Sequence, residues 1–541
     1  MRGDVLALIV GWAVLALSIP LFICFLLTIW LDDIETAVFA FGLPTVFCSL
    51  VGYWMLKKFT KPDTEERLRD REAFAAVALS WPVAVAIGAM PFWLGGTFNG
   101  PFTADAGFAD ILRGAVNSWF EAMSGFTTTG ATVIDDSMSP NCIAGVTVDC
   151  INSQPRGILL WRSLTQWLGG MGIIMLGMLV LARMLGGGMA LARAELTGPS
   201  LSRLKPRLQQ TAVALWLIYI VLTILECILL WTLGGTSLFD AINHSLTTMP
   251  SGGFSTHDKS IGYFDSVTVE LIIIVFMLLA GVNFSLIWFA WKGQWDKVTG
   301  DDEARVYFIF IILGTIGFTI ALILQGSSFG PATIDSLFHI LSIGTSTGYS
   351  TTDYITWPVF THVILFLLMI IGASAGSTSG GLKILRIRLS IKLAWRELAR
   401  IAQPRKIEKI RMSGEVVDDD NVALIVGMML VWTGLFAISC MILSITMWDQ
   451  DFETIVSVVA SSLGNTGPAL GSYGPSNTWA SMNSWSLIFT SILMWFGRLE
   501  LLTVLLLFHP RTWRRDRRDG KDKDGLKLLR ALIPKFQKRV R

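Results

Sequence analysis

Four short stretches rich in glycine, serine and threonine recur along this chain of 541 residues. They read SGFTTTGATVID at 124–135, MPSGGFSTHD at 249–258, GTSTGYSTTD at 344–353 and, more loosely, LGNTGPALG at 463–471. The four stretches align on single glycines, which are Gly130, Gly253, Gly348 and Gly467. Glycine adopts backbone angles that other residues reach poorly, so consecutive carbonyl groups can face one direction. Carbonyl oxygens arranged in that way can replace the hydration shell of a cation.

An acidic residue follows the aligned glycine by five positions in three of the four stretches. These acids are Asp135, Asp258 and Asp353, and the fourth stretch has none. If the stretches meet at one point, the three carboxylates would lie at its outer mouth. There they would raise the local concentration of cations.

The composition places these stretches in a membrane protein. Of the residues, 52% are apolar and 16% are charged, against about 25% charged in an average soluble domain. Apolar runs of about 20 residues or more, each long enough to span a bilayer as a helix, recur along the chain. The runs predict ten spans, near 5–30, 36–56, 74–96, 157–182, 211–235, 268–291, 305–325, 358–393, 421–447 and 483–508.

The positive charges predict the orientation of these spans. All but five of the 43 Lys and Arg residues lie at the N-terminus or in alternate connections between spans. The basic connections are 57–71, 183–207, 292–305, 383–411 and 509–541. Basic loops remain in the cytoplasm, so both termini are predicted to be cytoplasmic. The basic tail RRDRRDGKDKDG could also suggest nucleic acid, but beside a membrane span it is typical of a solvated orienting segment.

The four stretches also share their surroundings. Thirteen residues before the aligned glycines stand Asn117, Asp240, Asp335 and Thr454, which are all favoured helix N-caps. About ten mostly apolar residues follow each cap, enough for a half-membrane helix but not for a span. A full span lies on either side, so the chain from about 74 to 508 is predicted to contain four copies of one unit. Irregular backbone survives at membrane depth only inside protein or beside water, which predicts that the four loops meet around one pore.

The predicted fold is therefore an all-α polytopic membrane protein. It has four pseudo-repeats of helix, pore half-helix, filter loop and helix around one pore, plus two extra N-terminal transmembrane helices. The predicted divisions are 1–71 (extra helices and cytoplasmic loop), 72–207 (repeat 1), 208–300 (repeat 2), 301–411 (repeat 3 with an intramembrane loop), 412–510 (repeat 4) and 511–541 (basic cytoplasmic tail).

With these features the chain resembles the TrkH family of bacterial potassium-uptake proteins, whose superfamily also holds the KtrB and fungal Trk transporters. TTTGAT, SGGFSTHD, STGYSTTD and GNTGPALG are similar to the four filter loops of that family. The resemblance covers essentially the full length, including the two extra helices. It implies that the potassium filter comprises Thr128, Thr129, Gly130, Ser251, Gly252, Gly253, Thr347, Gly348, Asn465, Thr466 and Gly467.

The resemblance also implies the ion, the partners and the location. A glycine in all four loops goes with potassium preference in the family, whereas a serine in the first loop admits sodium. The fourth loop departs most, with Asn465 and Pro468. The resemblance implies that K⁺ is the transported ion and that the protein has no covalent cofactor. It also implies a homodimer in the bacterial inner membrane that binds a cytoplasmic nucleotide-binding TrkA-type regulatory protein.

The run 358–393 is too long for a single span. As a helix it would measure ~54 Å at ~1.5 Å per residue. Its middle, GASAGSTSGGLK, contains Gly372, Gly376, Gly380 and Gly381, and each glycine inside a helix costs ~1 kcal/mol relative to alanine. We therefore expect the segment to unwind, although a tilted helix that packs closely through small residues remains an alternative. The resemblance implies an intramembrane loop here that obstructs the cavity below the filter.

Arg498 and Lys383 are candidate gate residues. Arg498 stands in WFGRLELL where the corresponding segments read LGGM, AGVN and IGAS. A charge at such depth is costly and by default functional. We expect Arg498 to bind carbonyls of the 372–381 loop and oppose cation passage; the alternative is a structural pair with Glu500 or another acid. Lys383 could act similarly or could extend to the basic inner face.

The remaining residues leave several alternatives open. Cys142 and Cys150 bracket one polar loop and can form a disulfide if that loop faces an oxidising compartment. His244 and His339 share one position on the short helices, which suggests a repeated packing or hydrogen-bond role rather than metal binding. Glu121 holds the same position in the first repeat and is a candidate to pair with a neighbouring helix. A Na⁺- or H⁺-coupled symporter of the same fold is the second interpretation. A membrane-embedded enzyme is a distant third, since it needs clustered acids or bases at one membrane face.

Overall fold

The computed structural model of the chain describes residues 3–59, 70–104, 106–185, 208–403, 409–412, 415–417, 419–499, 504 and 507–508. The expected basic tail 511–541 and the alternative partner Glu500 lie outside the described residues. The described part is mainly helical, with one antiparallel pair of two-residue strands, Arg411–Met412 (β1) and Glu415–Val416 (β2).

The helices follow the order that the repeats require. Two helices, Gly3–Leu31 (α1) and Ile34–Lys58 (α2, with a π-helical turn at Ala37–Gly42), precede the repeats. The first two repeats contain Asp70–Leu94 (α3), Phe108–Phe126 (α4), Arg156–Leu185 (α5), Leu208–Thr232 (α6), Leu238–Thr248 (α7), Val267–Gly281 (α8), Phe284–Trp291 (α9) and Trp295–Thr299 (α10). The last two contain Asp302–Leu324 (α11), Phe329–Gly344 (α12), Val359–Ile371 (α13), Ile384–Ala402 (α14), Asp419–Thr446 (α15), Phe452–Gly464 (α16) and Ser484–Arg498 (α17).

The architecture confirms the predicted fold class of four helical repeats with two extra N-terminal helices. Among the described residues, six helices are long and apolar enough to cross a membrane. A seventh span results if α8 and α9, which meet at 102°, count as one broken span. Ten spans were predicted; the difference arises partly because later spans are interrupted or short, such as α13 and α17 with 13 and 15 residues.

The predicted N-caps of the four pore helices, α4, α7, α12 and α16, are wrong. The helices begin earlier, and their N-caps are Gly107, Ser237, Ser328 and Asp451. Asn117 and Asp335 therefore lie inside α4 and α12, while Asp240 and Thr454 lie in the first turns of α7 and α16. Helix α4 begins at Phe108, and its first turn is fixed by the Gly107 N–H, which donates to Asp110 Oδ2 at 3.1 Å. This is one of the two bonds of a capping box, because glycine has no side chain to make the other. A favourable cap type at an interior position did not stop the helix.

The two extra helices pack tightly against each other and against repeat 1. A Cβ on Gly52 of α2 would lie 2.9 Å from the Cβ of Leu15 in α1, so the glycine allows the close approach of the two backbones. The turn between them carries Asp32, whose two carboxylate oxygens accept from the N–H groups of Arg156 and Gly157 at 2.9 and 3.0 Å. Asp32 thereby caps the N-terminus of α5. These helices brace the first repeat from outside.

Candidate ion-conduction site

The four glycine loops, residues 127–135, 249–258, 345–353 and 465–471, repeat one unusual backbone conformation. The aligned glycines Gly130, Gly253, Gly348 and Gly467 all have positive φ, between 74° and 100°. The residue two positions before each glycine also has positive φ, although it carries a side chain. These four residues are Thr128, Ser251, Ser346 and Asn465, with φ between 53° and 59°. Positive φ at a non-glycine residue is uncommon and strained, so four matching instances indicate a shared requirement.

The same hydrogen bond anchors all four loops to their pore helices. The N–H of the residue before each glycine donates to the carbonyl five residues earlier, near the end of the helix. The distances are 2.8 Å for Thr129 to Ser124, 2.9 Å for Gly252 to Thr247, 2.8 Å for Thr347 to Ser342 and 3.0 Å for Thr466 to Ser461. The repeats are therefore equivalent in backbone geometry, including the fourth, whose sequence differs most.

The four loops meet in a closed ring. A Cβ on Gly467 would lie 2.5 Å from the carbonyl oxygen of Thr129 in the first loop. Cβ atoms on the other three glycines would lie even closer to a carbonyl oxygen of the next loop. The facing carbonyls are those of Gly252 for Gly130, Thr347 for Gly253 and Thr466 for Gly348. Each loop thus contacts the next in the order 1, 2, 3, 4 and back to 1.

Within this ring, three of the four aligned glycines are partly accessible although their neighbours are buried. Gly130, Gly253 and Gly348 are partly exposed, whereas the three residues before each of them and the one after are buried. In the fourth loop Gly467 is buried and Pro468 is partly exposed instead. The accessible points of the loops therefore lie at, or next to, the positions that contact one another around the ring.

Hydrogen bonds between repeats hold the ring on every side. Between repeats 1 and 2, Gln166 Nε2 donates to the Gly252 carbonyl at 2.6 Å, and Gln166 Oε1 accepts from the Phe254 N–H. The Thr247 and Tyr349 hydroxyls meet at 2.5 Å between repeats 2 and 3. The Tyr354 hydroxyl joins repeat 3 to repeat 4 at the Ala469 carbonyl, and Asn465 Nδ2 joins repeat 4 to repeat 1 at Thr129 Oγ1.

The three predicted outer-mouth acids lie in the outgoing limbs of the loops, where they make structural hydrogen bonds. Asp135 accepts from the Thr478 hydroxyl of repeat 4 at 2.8 Å. Asp258 accepts from the N–H groups of Cys150 and Ile151 at 2.7 and 2.9 Å. Asp353 caps the short helix that follows, accepting from the Ile355 N–H at 3.0 Å.

Asp258 thus contacts the polar loop that follows the first glycine loop. Cys142 and Cys150 of that loop form a disulfide, with their Cα atoms 5.5 Å apart.

A charged cluster fastens the same disulfide loop to the second glycine loop. His257 Nδ1 lies 2.7 Å from Asp149 Oδ2, and its other nitrogen lies 3.6 Å from Asp240 of helix α7. The imidazole also stacks on Tyr263 with 3.4 Å between the ring centroids. Burial opposes protonation of His257, but the two carboxylates outweigh it and raise the pKa of His257 to about 9.

The predicted unwinding of the run 358–393 is present. Helix α13 ends at Ile371, helix α14 begins at Ile384, and residues 372–383, here called the inner loop, connect them. Gly372, Gly376 and Gly381 have positive φ in this loop.

The inner loop lies directly against the glycine loops at the residues two positions before the aligned glycines. The Gly380 N–H donates to Ser346 Oγ at 2.6 Å, and the Thr378 and Ser251 hydroxyls meet at 2.9 Å. A Cβ on Gly380 would lie 2.9 Å from the Cβ of Asn465. The inner loop therefore contacts three of the four glycine loops from one side.

Arg498 connects the inner loop to the first repeat. Its Nη1 donates to the Thr378 carbonyl at 2.8 Å, and its Nη2 donates to the carbonyls of Gly169 and Gly170 in α5 at 3.0 and 3.1 Å. The guanidinium thus reaches the inner loop, as the sequence predicted, and also a second segment that the sequence did not indicate.

Lys383 lies at the end of the inner loop with a positive φ of 69°. Its ammonium group bonds back to Ser379, through the carbonyl and, at 3.1 Å, through the hydroxyl. Nearby, the buried Glu303 of α11 accepts from the N–H groups of Ala375 and Leu385 at 2.7 and 3.1 Å. Charged side chains therefore hold the inner loop at Ala375 and Ser379 and hold the start of α14 at Leu385. The sequence analysis did not select Glu303.

In every repeat, the helix that follows the glycine loop is interrupted or ends close to the corresponding short segment of the sequence. Helix α5 is interrupted at Gly172, with φ of 73° and ψ of 131°, inside GGMGIIMLG, which resembles an ordinary packing motif. Helices α8, α13 and α17 end at Gly281, Ile371 and Arg498, in the segments AGVN, IGAS and FGRL. Only the third break was predicted, because only that run was too long for the bilayer.

Comparisons with known proteins identify relatives of the whole chain. The TrkH family model, described as a cation transport protein, matches residues 40–294 and 324–515. The Trk system potassium uptake protein TrkH of Salmonella typhimurium is 37% identical over 463 residues, covering 84% of this chain and 88% of that protein. The Trk system potassium uptake protein TrkG of Escherichia coli is 33% identical over 490 residues, covering 89% and 93%.

A solved structure is similar over almost the whole chain. The crystal structure of the potassium transporter TrkH from Vibrio parahaemolyticus superposes with a TM-score of 0.78 at 31% sequence identity. The match covers 95% of this chain and 100% of that one.

Proposed function

Because this chain belongs to the TrkH family of cation transport proteins, we propose that it takes up potassium ions across the bacterial inner membrane. The family is one of transport proteins, so the chain is not an enzyme. The relatives that it resembles are named for potassium uptake. In the proposed mechanism the ion loses its water to backbone carbonyls of the four glycine loops.

One observation carries this proposal: the four loops form a closed ring in which each glycine adjoins a carbonyl of the next loop. A ring of that kind is what carbonyl coordination of a single ion requires. The four pore helices also end within five residues of the glycines, so their partially negative C-termini favour a cation there. The filter residues proposed are Thr128, Thr129, Gly130, Ser251, Gly252, Gly253, Thr347, Gly348, Asn465, Thr466 and Gly467, to which the backbone pattern adds Ser346.

We further propose that the inner loop and Arg498 gate this path. The inner loop lies against glycine loops 2, 3 and 4, and Arg498 bonds it to the Gly169 and Gly170 carbonyls of repeat 1. A cation leaving the ring on this side meets a guanidinium charge and a backbone segment. For the inner loop to move aside, at least the hydrogen bonds of Arg498 must break. Arg498 therefore acts as a latch, which holds the inner loop in place, as well as an electrostatic barrier.

The outer side is proposed to be the periplasm. The positive-inside pattern places the basic connections and both termini in the cytoplasm, and the disulfide between Cys142 and Cys150 suits an oxidising compartment. Asp135, Asp258 and Asp353 then lie on the entry side. Fusing a reporter enzyme of known compartment preference after Ala402 and within the 142–150 loop tests this orientation, and activity on the same side at both points would contradict it.

The proposed assembly is a homodimer that binds a TrkA-type nucleotide-binding protein. Support for the regulator comes from the basic residues of α14, the helix that follows the inner loop: Arg400 is exposed, and Lys392 and Arg396 are half-buried. A regulator bound there would act on the gate through Lys383, the residue that immediately precedes α14. Light scattering of the purified protein, with and without the regulator, measures both stoichiometries, and a monomer that binds no regulator would refute this assembly.

Ion flux into liposomes that contain the purified protein tests the function itself. Potassium and sodium gradients are varied separately and together, with protein-free liposomes as the control. The proposal predicts potassium flux down its own gradient, exceeding sodium flux. Sodium flux equal to potassium flux would contradict the selective ring.

A coupled symporter of the same fold is the second candidate, and one observation favours proton coupling. Glu226 of α6 is fully buried, and within the described residues neither carboxylate oxygen has a hydrogen-bond partner. The nearby Thr248 hydroxyl bonds instead to the His244 carbonyl at 2.8 Å. If protons are coupled, potassium flux will require a proton gradient and Glu226→Gln will abolish that requirement.

A further inference from the structure

We propose that Arg162 and Glu121 form a buried strut that fixes the distance between glycine loops 1 and 2 and thereby sets the selectivity for potassium over sodium. The inference rests on the proposed filter and extends it to two residues outside the loops. Neither residue contacts the passing ion in this proposal. Both are positioning residues.

The arginine reaches from repeat 1 into the second glycine loop. Arg162 lies on α5, and its Nη1 donates to the Ser255 carbonyl at 2.7 Å. The guanidinium carbon lies 3.7 Å from the centroid of the Phe254 ring, which follows Gly253 directly. Arg162 therefore holds the two residues after the second aligned glycine, one through a carbonyl and one through its ring.

The glutamate holds the matching part of the first glycine loop. Glu121 lies on pore helix α4, and its Oε2 accepts from the Val133 N–H at 3.1 Å. Its two oxygens also accept from the Thr132 hydroxyl at 3.0 and 3.1 Å. Thr132 and Val133 are the second and third residues after Gly130. A single carboxylate thus fixes the outgoing limb of loop 1.

The two side chains meet directly in the protein interior. Arg162 Nε lies 2.6 Å from Glu121 Oε1, and the side chains are only 2% and 0% exposed. Buried charges are stable only when geometry and remaining hydrogen bonds are nearly ideal. The planar guanidinium provides two separate donors here, one for the carboxylate and one for the Ser255 carbonyl, which an ammonium group cannot match in fixed geometry. A change in the spacing of the two loops breaks at least one of these bonds.

The other repeats use different residues at the position of Glu121, nine residues before the glycine. In repeat 2, His244 Nε2 lies 3.0 Å from the Ser255 hydroxyl, two residues after Gly253. In repeat 4 the corresponding residues are Val458 and Ala469, which are both buried and apolar. In repeats 1 and 2, the residue nine positions before the glycine therefore bonds to the part of its own loop that follows the glycine. In repeat 1 this contact continues through Arg162 to the second glycine loop. The strut therefore stiffens one specific side of the ring.

The test is the ratio of sodium to potassium flux in liposomes that contain purified Arg162→Gln, Arg162→Lys or Glu121→Gln protein. The ratio is independent of how much of the preparation is active, so a general loss of folded protein leaves it unchanged. Arg113→Gln is the matched control. Arg113 is another arginine that donates to carbonyls, those of Ala480 and Met482, and it lies at the outer end of the same helix as Glu121.

We expect the sodium-to-potassium ratio to rise about tenfold in Arg162→Gln and Glu121→Gln, which corresponds to ~1.4 kcal/mol between the two ions. Arg162→Lys keeps the positive charge but loses the fixed pair of guanidinium donors, so we expect a sodium-to-potassium ratio between those of the wild type and Arg162→Gln. Arg113→Gln is expected to keep the wild-type ratio. If Arg162→Gln fails to fold, the lysine variant still decides the question.

A wild-type ratio in Glu121→Gln and in the Arg162 variants would overturn the strut, and so would an equal rise in Arg113→Gln. A wild-type protein that does not distinguish the two ions would instead refute the proposed filter. The two failures are therefore distinguishable in one experiment.

Discussion

Replacing each aligned glycine by alanine probes the ring most directly. Alanine at Gly130, Gly253, Gly348 or Gly467 adds one methyl group that points at a carbonyl oxygen of the next loop. The least crowded of these positions leaves 2.5 Å between the new Cβ and that oxygen. Ordinary contact begins near ~3.5 Å, so the two loops must separate by about 1 Å. That exceeds the ~0.5 Å within which a binding constellation must be held.

The energetic effect has two parts, and a matched control separates them. Positive φ costs alanine ~1–2 kcal/mol at any of these sites. Gly235 has a similar φ of 69°, but no neighbouring atom lies within 4 Å of the place that an added methyl group would take, so Gly235→Ala carries only this first part. The forced separation adds the cost of overpacking, about 1–3 kcal/mol. We therefore expect the ring variants to lose more thermal stability than Gly235→Ala.

Sodium and potassium flux in liposomes, with thermal unfolding of the same samples, measures both parts. We expect the ring variants to lose potassium selectivity while Gly235→Ala retains it. The loss should be largest for Gly253→Ala and smallest for Gly467→Ala, because the facing oxygen is nearest at Gly253 and farthest at Gly467. Wild-type selectivity in all four variants would show that these contacts do not define the ion path.

Three further predictions address the gate and the outer face. Arg498→Ala should raise potassium flux several-fold by removing the bonds to Thr378 and to α5, and unchanged flux at normal protein levels would argue against the latch. Gly380→Ala, whose methyl would press on the Gly464 carbonyl and on Asn465, should displace the inner loop and also raise flux, whereas lower flux in the same assay would contradict an obstructing role for the loop. The pKa of His257 is raised to about 9 in the folded protein, above its ordinary 6.5, so its stabilising contribution is complete below 6.5 and is lost as pH rises through 9. The melting temperature of the wild type should accordingly fall more steeply across that range than that of His257→Gln, and parallel slopes would refute the coupling to Asp149.

The sequence predicted the parts of this fold that depend on local pattern. Four glycines in register and the apolar runs around them were enough to predict four repeats, because irregular backbone in a membrane must be buried in protein or lie beside water. The break after Ile371 was predictable from length alone. The starts of the pore helices were not: α4 begins beside the hydrogen bond from the Gly107 N–H to Asp110, ten residues before Asn117, whatever the cap preference of Asn117.

The missed residues depend on contacts between distant parts of the chain. The interruption at Gly172 leaves the nearby Gly169 and Gly170 carbonyls to Arg498, more than 300 residues later. Glu121 was a candidate to pair with a neighbouring helix, but its partner Arg162 lies 41 positions later, and no spacing rule connects a pore helix to the following span. Ser346 was overlooked because its role lies in its backbone angle. A hydroxyl residue two positions before each of the first three glycines was the available signal.

The inequality of the repeats has a consequence for the proposed gate. A ring of four identical subunits carries four copies of every residue, so a gating arginine would place four positive charges in one cavity. Here a single chain supplies all four repeats, and only the fourth has an arginine, Arg498, where the others have LGGM, AGVN and IGAS. One guanidinium can bind the inner loop on one side and repeat 1 on the other, as Arg498 does. The same freedom allows repeat 1 to carry the Glu121–Arg162 pair while the corresponding side chains of repeat 4, Val458 and Ala469, are apolar. In the proposed mechanism, four unequal repeats in one chain therefore combine a repeated backbone that binds the ion with gating side chains that differ between repeats.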